Sequence, residues 1–160
     1  MLPFKRILVS TDFSDASIAA IPAAAELASH FDAELWLVHV LPVDTPTPWD
    51  VPPYADFGLA SMPLPDYEAQ VRQEVERRIE KVKDTHVPSG VRARTMVGRG
   101  DAASEIGRIA KEKGIDLVVI ATHGWTGWRH LVFGSVAERV LRETACAVLT
   151  IHCPPSPKKA

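Results

Sequence analysis

The sequence has few cysteines, no large excess of charge of either sign and no long hydrophobic run. Its 160 residues include two cysteines, Cys146 and Cys153, too few for a disulfide framework. With 18 basic and 20 acidic residues, the chain offers no basic field to a nucleic-acid duplex or an anionic membrane. No apolar stretch approaches the roughly 20 residues that span a bilayer. The first residues lack a signal-peptide pattern, so we expect a cytoplasmic protein.

What the chain does contain is a regular alternation of strand-like and helix-like segments. Apolar, branched runs predict five strands, at residues 6–10, 35–40, 91–97, 116–120 and 147–151. The third run alternates polar and apolar residues, which is typical of a strand that is half-exposed or at an edge. Helical patterns follow the first four runs and begin near Ser14, after Asp66, after Asp101 and after Gly134. This order predicts an α/β fold with a mostly parallel sheet and helices on both faces.

Residues 1–153 are predicted to form a single domain, and residues 154–160 a flexible tail. Within the domain, residues 42–65 contain seven of the 13 prolines, which predicts a long surface loop rather than a helix or a central strand. Pro22 lies inside the first helical pattern and is expected to kink it. The fourth helix is expected to turn three apolar side chains inward, those of Val136, Val140 and Leu141.

The candidate site lies at the carboxyl ends of the predicted strands, where parallel α/β sheets bind ligands. Two segments leave these strand ends with polar or glycine-rich sequences, 10–14 and 121–135. Backbone N–H groups at Gly134, Ser135 and Val136 would start a helix, and such a start favours phosphate. Arg129 could add positive charge. The alternative is a loop whose glycines serve turns and whose Ser135 is only a cap.

Other signatures of nucleotide and enzyme chemistry are absent or incomplete. The chain has no G-x-x-x-x-G-K-[ST] phosphate loop and no G-x-S-x-G nucleophile elbow. The segment 98–103 matches G-x-G-x-x-A, but it follows the third predicted strand, and Asp101 is better explained as a helix N-cap. His39 and His123 end strands, where histidine is more often structural than catalytic.

In order and spacing, five segments resemble the universal stress protein family: residues 5–14, 37–40, 98–101, 116–124 and 134–140. The resemblance implies an open, Rossmann-like, five-stranded parallel sheet in the order 3-2-1-4-5. ATP-binding members of this family carry G-x2-G-x9-G-[ST]. Gly124, Gly134 and Ser135 match that motif, whereas Ala121 replaces its first glycine and is expected to narrow the site without abolishing it.

The resemblance also implies roles for single residues. Asp12 corresponds to the acidic residue beside the adenosine, where it would accept ribose hydroxyls or help hold Mg²⁺; its alternative role is to cap the turn into the first helix. Val40 corresponds to the position whose backbone reads adenine, and Ser10 stands where many members have proline. The expected nucleotide-binding set is Ser10, Thr11, Asp12, Val40, Ile120, Ala121, His123, Gly124, Arg129, Gly134, Ser135 and Val136.

These expectations describe a stress-response module that binds ATP and forms a homodimer through its last strand, Ala147 to Ile151. Pairing with a second copy would cover an apolar edge. Two alternatives stay open: a nucleotide-independent protein-interaction module that uses residues 42–65, and a slow ATP hydrolase. No catalytic residue is assigned, because the sequence shows no positioned base and no arginine with a clear target.

Overall fold

A computed structural model describes residues 2–43, 64–122 and 134–152. Strands and helices alternate along this part of the chain: β1 (Arg6–Ser10), α1 (Asp15–Phe31), β2 (Glu34–Leu41), α2 (Leu64–His86), β3 (Ala93–Arg99), α3 (Ala102–Lys113), β4 (Leu117–Ala121), α4 (Ser135–Glu143) and β5 (Ala147–Ile151). None of the helices in the described ranges is long and apolar enough to cross a membrane.

The five strands form one parallel sheet in the order β3-β2-β1-β4-β5, which confirms the predicted fold. The order reverses between β1 and β4, where Val9 pairs with Val119. As its alternating sequence predicted, β3 lies at an edge. It begins two residues later than predicted, because the N–H of Val91 donates instead to the carbonyl of Pro88 in the preceding turn.

The two faces of the sheet support two separate apolar cores. Ile7 and Val9 belong to the core under α1 and α2, whereas Leu8 belongs to the core under α3 and α4. This division follows from the strand pleat, which sends successive side chains to opposite faces. All five residues of β4 are buried, as expected of a central strand covered on both sides.

Local capping sets the ends of the helices. Ser14 caps α1 by accepting a hydrogen bond from the N–H of Ser17, and Asp101 caps α3 by accepting one from that of Ser104. The predicted N-cap role of Asp101 is therefore confirmed. Gly114 ends α3 in the left-handed conformation, at φ 61°. Helix α1 continues through Pro22 as one 17-residue helix.

Two sequence predictions about the helices were wrong. Helix α2 begins at Leu64, so Pro65 lies in its first turn and not in the loop, a position that proline tolerates because the N–H there needs no helical partner. In α4, Val136 and Leu141 are 38% and 42% exposed. Val140 is buried as predicted, and the inward stripe of this short helix runs through it and Ala137, one turn away. Most of the proline-rich segment and the tail lie outside the described residues.

Candidate functional site

A cleft opens at the carboxyl ends of β1, β2 and β4, on the face of the sheet that α3 and α4 cover. Its volume is about 280 Å³, near the lower end of the range for small-molecule sites. It lies at the reversal of strand order, the position that the topology of a parallel sheet predicts. The cleft is therefore the candidate site.

The cleft gathers most of the predicted site residues in one place. Those that line it are Ser10, Thr11, Asp12, Val40, Ile120, Ala121, Gly134, Ser135 and Val136. The remaining three, His123, Gly124 and Arg129, lie outside the described residues, so their roles stay predictions. Ala121, which replaces the first motif glycine, is 9% exposed at the end of β4.

Sequence reasoning missed other residues that line the cleft: Ser17, Val38, His39, Ala102, Ile106, Thr122 and Ala137. The spacing of Ala102 and Ile106 shows that they share a face of α3, but not that this face covers the strand ends. A sequence signal could have identified Ser17, because a serine three residues after the Ser14 N-cap is placed to contact the turn before the helix.

One wall of the cleft is the turn from β1 to α1, residues 11–14, and it is held by hydroxyl groups. The hydroxyls of Thr11 and Ser17 are 2.9 Å apart and share a buried hydrogen bond. The N–H of Phe13 donates to Thr11 Oγ1 at 3.0 Å, and the N–H of Asp12 to Ser17 Oγ at 3.3 Å. These bonds stabilise a turn in which Phe13 has φ 63°, an uncommon conformation for an aromatic residue.

Asp12 performs the capping role that was its alternative assignment. Its Oδ1 accepts hydrogen bonds from the N–H and the hydroxyl of Ser14, at 3.0 and 2.5 Å. Among the described residues, no three His, Cys, Asp or Glu side chains converge on a common point. The expected contacts of Asp12 with ribose or Mg²⁺ stay predictions.

His39, at the end of β2, links that strand to the same turn. Its Nδ1 lies 2.8 Å from the carbonyl oxygen of Thr11, and its ring stacks on Phe13 with centroids 4.4 Å apart. Because a carbonyl oxygen can only accept, Nδ1 carries the proton. Burial lowers the pKa of His39, although the bond to Thr11 and the charge of Asp12 oppose this shift. Neutral His39 therefore fits this place.

The opposite wall is the start of α4, and it is built from backbone. The N–H of Gly134 donates to the carbonyl of Thr122 at 2.6 Å. A Cβ added to Gly134 would lie 2.8 Å from that carbonyl oxygen, so only glycine fits without a shift. Gly134 is the N-cap and has no side chain that could occupy the first N–H groups of α4. Such a helix start suits a phosphate oxygen.

A model of the universal stress protein family matches residues 3–152. The chain belongs to this family. It is 34% identical over 151 residues to universal stress protein MJ0531 of Methanocaldococcus jannaschii, covering 94% of this chain and 84% of that one. Over 152 residues it is 32% identical to universal stress protein YxiE of Bacillus subtilis, covering 93% of this chain and 99% of that one.

Solved structures share the fold. The universal stress protein UspA of Lactobacillus plantarum superposes with a TM-score of 0.69 at 26% identity, covering 94% of this chain and 99% of that one. A universal stress protein in complex with cAMP superposes with a TM-score of 0.57 at 22% identity, covering 93% of this chain and 97% of that one. The universal stress protein from Archaeoglobus fulgidus in complex with dAMP has a TM-score of 0.56 at 18% identity, covering 94% of this chain and 98% of that one. The last two likenesses concern the fold alone.

Proposed function

We propose that this universal stress protein binds ATP in the cleft and acts as a homodimeric regulatory module in a stress response. The observation that carries the proposal is the composition of the cleft. An apolar slot, formed by Val38, Val40, Ile106 and Ile120, opens onto the glycine-capped start of α4. A nucleotide has the same two parts, a flat base and an anionic phosphate chain.

The positions of the polar groups around the cleft also support a nucleotide as the ligand. Asp12 lies at the β1–α1 turn, where its carboxylate would be within reach of a ribose that follows the base. Ser135 and Val136 lie at the start of α4, where backbone N–H groups and the helix dipole favour negative charge. Base, sugar and phosphate would therefore each meet a surface of matching chemistry.

Adenine nucleotides are supported by proteins of the same fold. Two of the structural neighbours are complexes with cAMP and dAMP. In this chain, Gly134 and Ser135 complete the last two positions of the ATP motif that the sequence resembles. This motif is the reason that we propose ATP, with its three phosphates, rather than a nucleotide with a single phosphate.

The proposed homodimer rests on the outer edge of β5. In the described residues this strand pairs with β4 alone, and Leu149 is 37% exposed on it. Leu141, on the neighbouring helix α4, is 42% exposed. A second copy could pair antiparallel with this edge and cover both leucines, in a self-complementary interface.

Calorimetric titration of nucleotide-stripped protein tests the binding proposal. We expect ATP with Mg²⁺ to bind with a micromolar Kd, about −8 kcal/mol, and GTP to bind at least 10-fold more weakly. A titration with AMP measures the contribution of the outer phosphates. Absence of ATP binding at millimolar concentration would contradict the proposal and favour a nucleotide-independent interaction module.

Sedimentation velocity tests the dimer. Leu149→Lys places a charge in the middle of the exposed edge, and we expect it to shift the protein from dimer to monomer. Val43→Lys is the matched control, since Val43 is 64% exposed and follows β2, which is separated from β5 by two strands, β1 and β4. A monomeric wild-type protein, or a Leu149→Lys variant that remains dimeric, would argue against this interface.

A further inference from the structure

Arg139, on the second turn of α4, joins the two helices that cover the cleft. Its guanidinium reaches the first turn of α3, where Nη1 donates to Asp101 Oδ2 at 2.8 Å and Nη2 to Ser104 Oγ at 3.3 Å. Its Nε donates to Glu143 Oε1, one turn further along α4, at 3.2 Å. All three guanidinium nitrogens are therefore engaged, and two of them hold α3.

Asp101 connects this link to the cap of α3. Its Oδ1 accepts a hydrogen bond from the N–H of Ser104 and so caps the helix, while its Oδ2 accepts from Arg139. The hydrogen bond from Arg139, followed by those from Ser104, lowers the pKa of Asp101 to about 2, so its carboxylate is charged at neutral pH. One carboxylate therefore fixes the start of α3 and holds α4 beside it.

Helix α4 has a small apolar anchor. Two of its nine side chains are buried, those of Ala137 and Val140, whereas α3 buries four. At its start, the N–H of Gly134 donates to the carbonyl of Thr122. Because the hydrophobic contribution scales with buried apolar area, so short a stripe restrains the helix weakly. The polar link to α3 is therefore important for where α4 lies.

The link lies beside the cleft and not inside it. Ala102, which follows Asp101, and Ser135 line the cleft, whereas Arg139 is not among the described residues that do so. The side chains of Arg139 and Asp101 are 39% and 51% exposed. Ion pairs as exposed as this one add little to the stability of a fold. A change at Arg139 should therefore affect the position of α4 more than the stability of the protein.

We propose that Arg139 is a positioning residue for nucleotide binding, which ties α4 to Asp101 and so holds the backbone N–H groups at the start of α4 at a fixed distance from α3. This inference rests on the proposed function, since these N–H groups are the ones that would face the phosphates of ATP. Arg139 acts through Asp101 and does not touch the ligand. A lysine ammonium would keep the charge but lacks the planar fork of donors that reaches Asp101 and Ser104 together.

ATP titrations of Arg139→Gln, Arg139→Lys and Asp101→Asn test the inference. Asparagine caps helices as well as aspartate does, so Asp101→Asn preserves the start of α3 but removes the charge that holds Arg139. We expect each variant to bind ATP about 5- to 10-fold more weakly than wild-type protein, within the range for residues that share one ion-pair network. In the double variant Arg139→Gln/Asp101→Asn the loss should be no larger, because both substitutions remove the same contact.

Arg142→Gln is the matched control. Arg142 lies on the same helix, but its partner is Glu138 of α4 itself, 3.7 Å away. Its substitution removes the same charge without loosening the link to α3, so ATP affinity should equal that of wild-type protein. Thermal unfolding without nucleotide adds a second measurement. The unfolding midpoint of Arg139→Gln should fall by no more than about 4 °C, the effect of an exposed ion pair.

The outcomes separate the two proposals. If wild-type protein fails to bind ATP, the proposed function fails and the role of Arg139 fails with it. If ATP binds and Arg139→Gln keeps wild-type affinity, only the role of Arg139 is overturned, whatever its unfolding midpoint. Wild-type affinity in Asp101→Asn, or strictly additive losses in the double variant, would show that Arg139 does not act through Asp101. Wild-type affinity in Arg139→Lys, or an equal loss in Arg142→Gln, would assign the effect to charge alone and also overturn the inference.

Discussion

The two walls of the cleft are built from different parts of the polypeptide. The β1–α1 turn is held by side chains, through the hydroxyls of Thr11 and Ser17 and the ring of His39. The start of α4 is held by backbone, through the bond from the N–H of Gly134 to the carbonyl of Thr122. One wall depends on functional groups that are present, and the other depends on the absence of a side chain.

This difference decides how each wall responds to mutation and to pH. Removing an atom from the side-chain wall leaves a buried donor or acceptor without a partner. Adding an atom to the backbone wall pushes apart two segments that are already in contact. Within the described residues, the side-chain wall contains His39, a group that can titrate near neutral pH. Mutations and changes of pH are therefore expected to affect the two walls differently.

The largest expected effect comes from adding bulk to the backbone wall. Gly134→Val would place its Cβ 2.8 Å from the carbonyl oxygen of Thr122, so the start of α4 must move. We expect ATP affinity to fall by about 100-fold, or about 2.7 kcal/mol, while the protein stays folded. Calorimetry and circular dichroism measure the two quantities.

Gly90→Val is the control for this experiment, because a Cβ at Gly90 meets nothing within 4 Å. It should change neither the fold nor the affinity. Unchanged ATP affinity in folded Gly134→Val protein would remove the start of α4 from the binding site, and the contrast between the walls would then concern structure alone.

An intermediate effect is expected from removing a hydroxyl from the side-chain wall. Ser17→Ala deprives Thr11 Oγ1 and the N–H of Asp12 of a partner. We expect the free energy of unfolding to fall by about 1–3 kcal/mol, measured by urea denaturation. Ser29→Ala on the exposed side of α1 is the control and should not be destabilising.

A double-mutant cycle with Thr11→Val sharpens this result. Because Thr11 and Ser17 bond each other, the loss in the double variant should be smaller than the sum of the two single losses. Strict additivity would show that the two hydroxyls act independently, and the turn would then not be a connected hydrogen-bond network.

The smallest expected effect is the pH dependence of the side-chain wall. Burial holds the pKa of His39 in the folded protein below its ordinary value of 6.5, so the unfolded chain takes up a proton more readily. Stability from this source is complete above pH 6.5 and is lost as the pH falls toward the folded pKa. The slope cannot exceed about 1.4 kcal/mol per pH unit for one proton.

His39→Asn tests this dependence because asparagine can still donate to the Thr11 carbonyl but does not titrate. Urea denaturation between pH 5 and 7 should show a shallower slope for the variant than for wild-type protein. Asp12 and Arg78 are the charged groups that act on His39, so their substitution should change the wild-type slope in opposite directions. An identical slope in His39→Asn would assign the pH dependence to other groups.

Where the two walls differ in construction, they also differ in how well the sequence predicted them. Gly134 and Ser135 were recognised because glycine followed by serine before a helical pattern is a local signal. Ser17 and His39 were not assigned to the site, since their partners depend on how α1 and β2 pack beside β1. The inward face of α4 was placed wrongly for the same reason, because Val136 and Leu141 are as apolar as the residues that pack.

The strands, the helices and their alternation follow from the sequence alone, because apolar periodicity, capping residues and proline act over a few neighbouring positions. The resemblance to the family added the strand order. The packing of the sheet and its helices was needed to bring His39 to the carbonyl of Thr11 and Gly134 to that of Thr122. Contacts of this kind join residues that are far apart in the chain, so they depend on how the sheet and its helices pack.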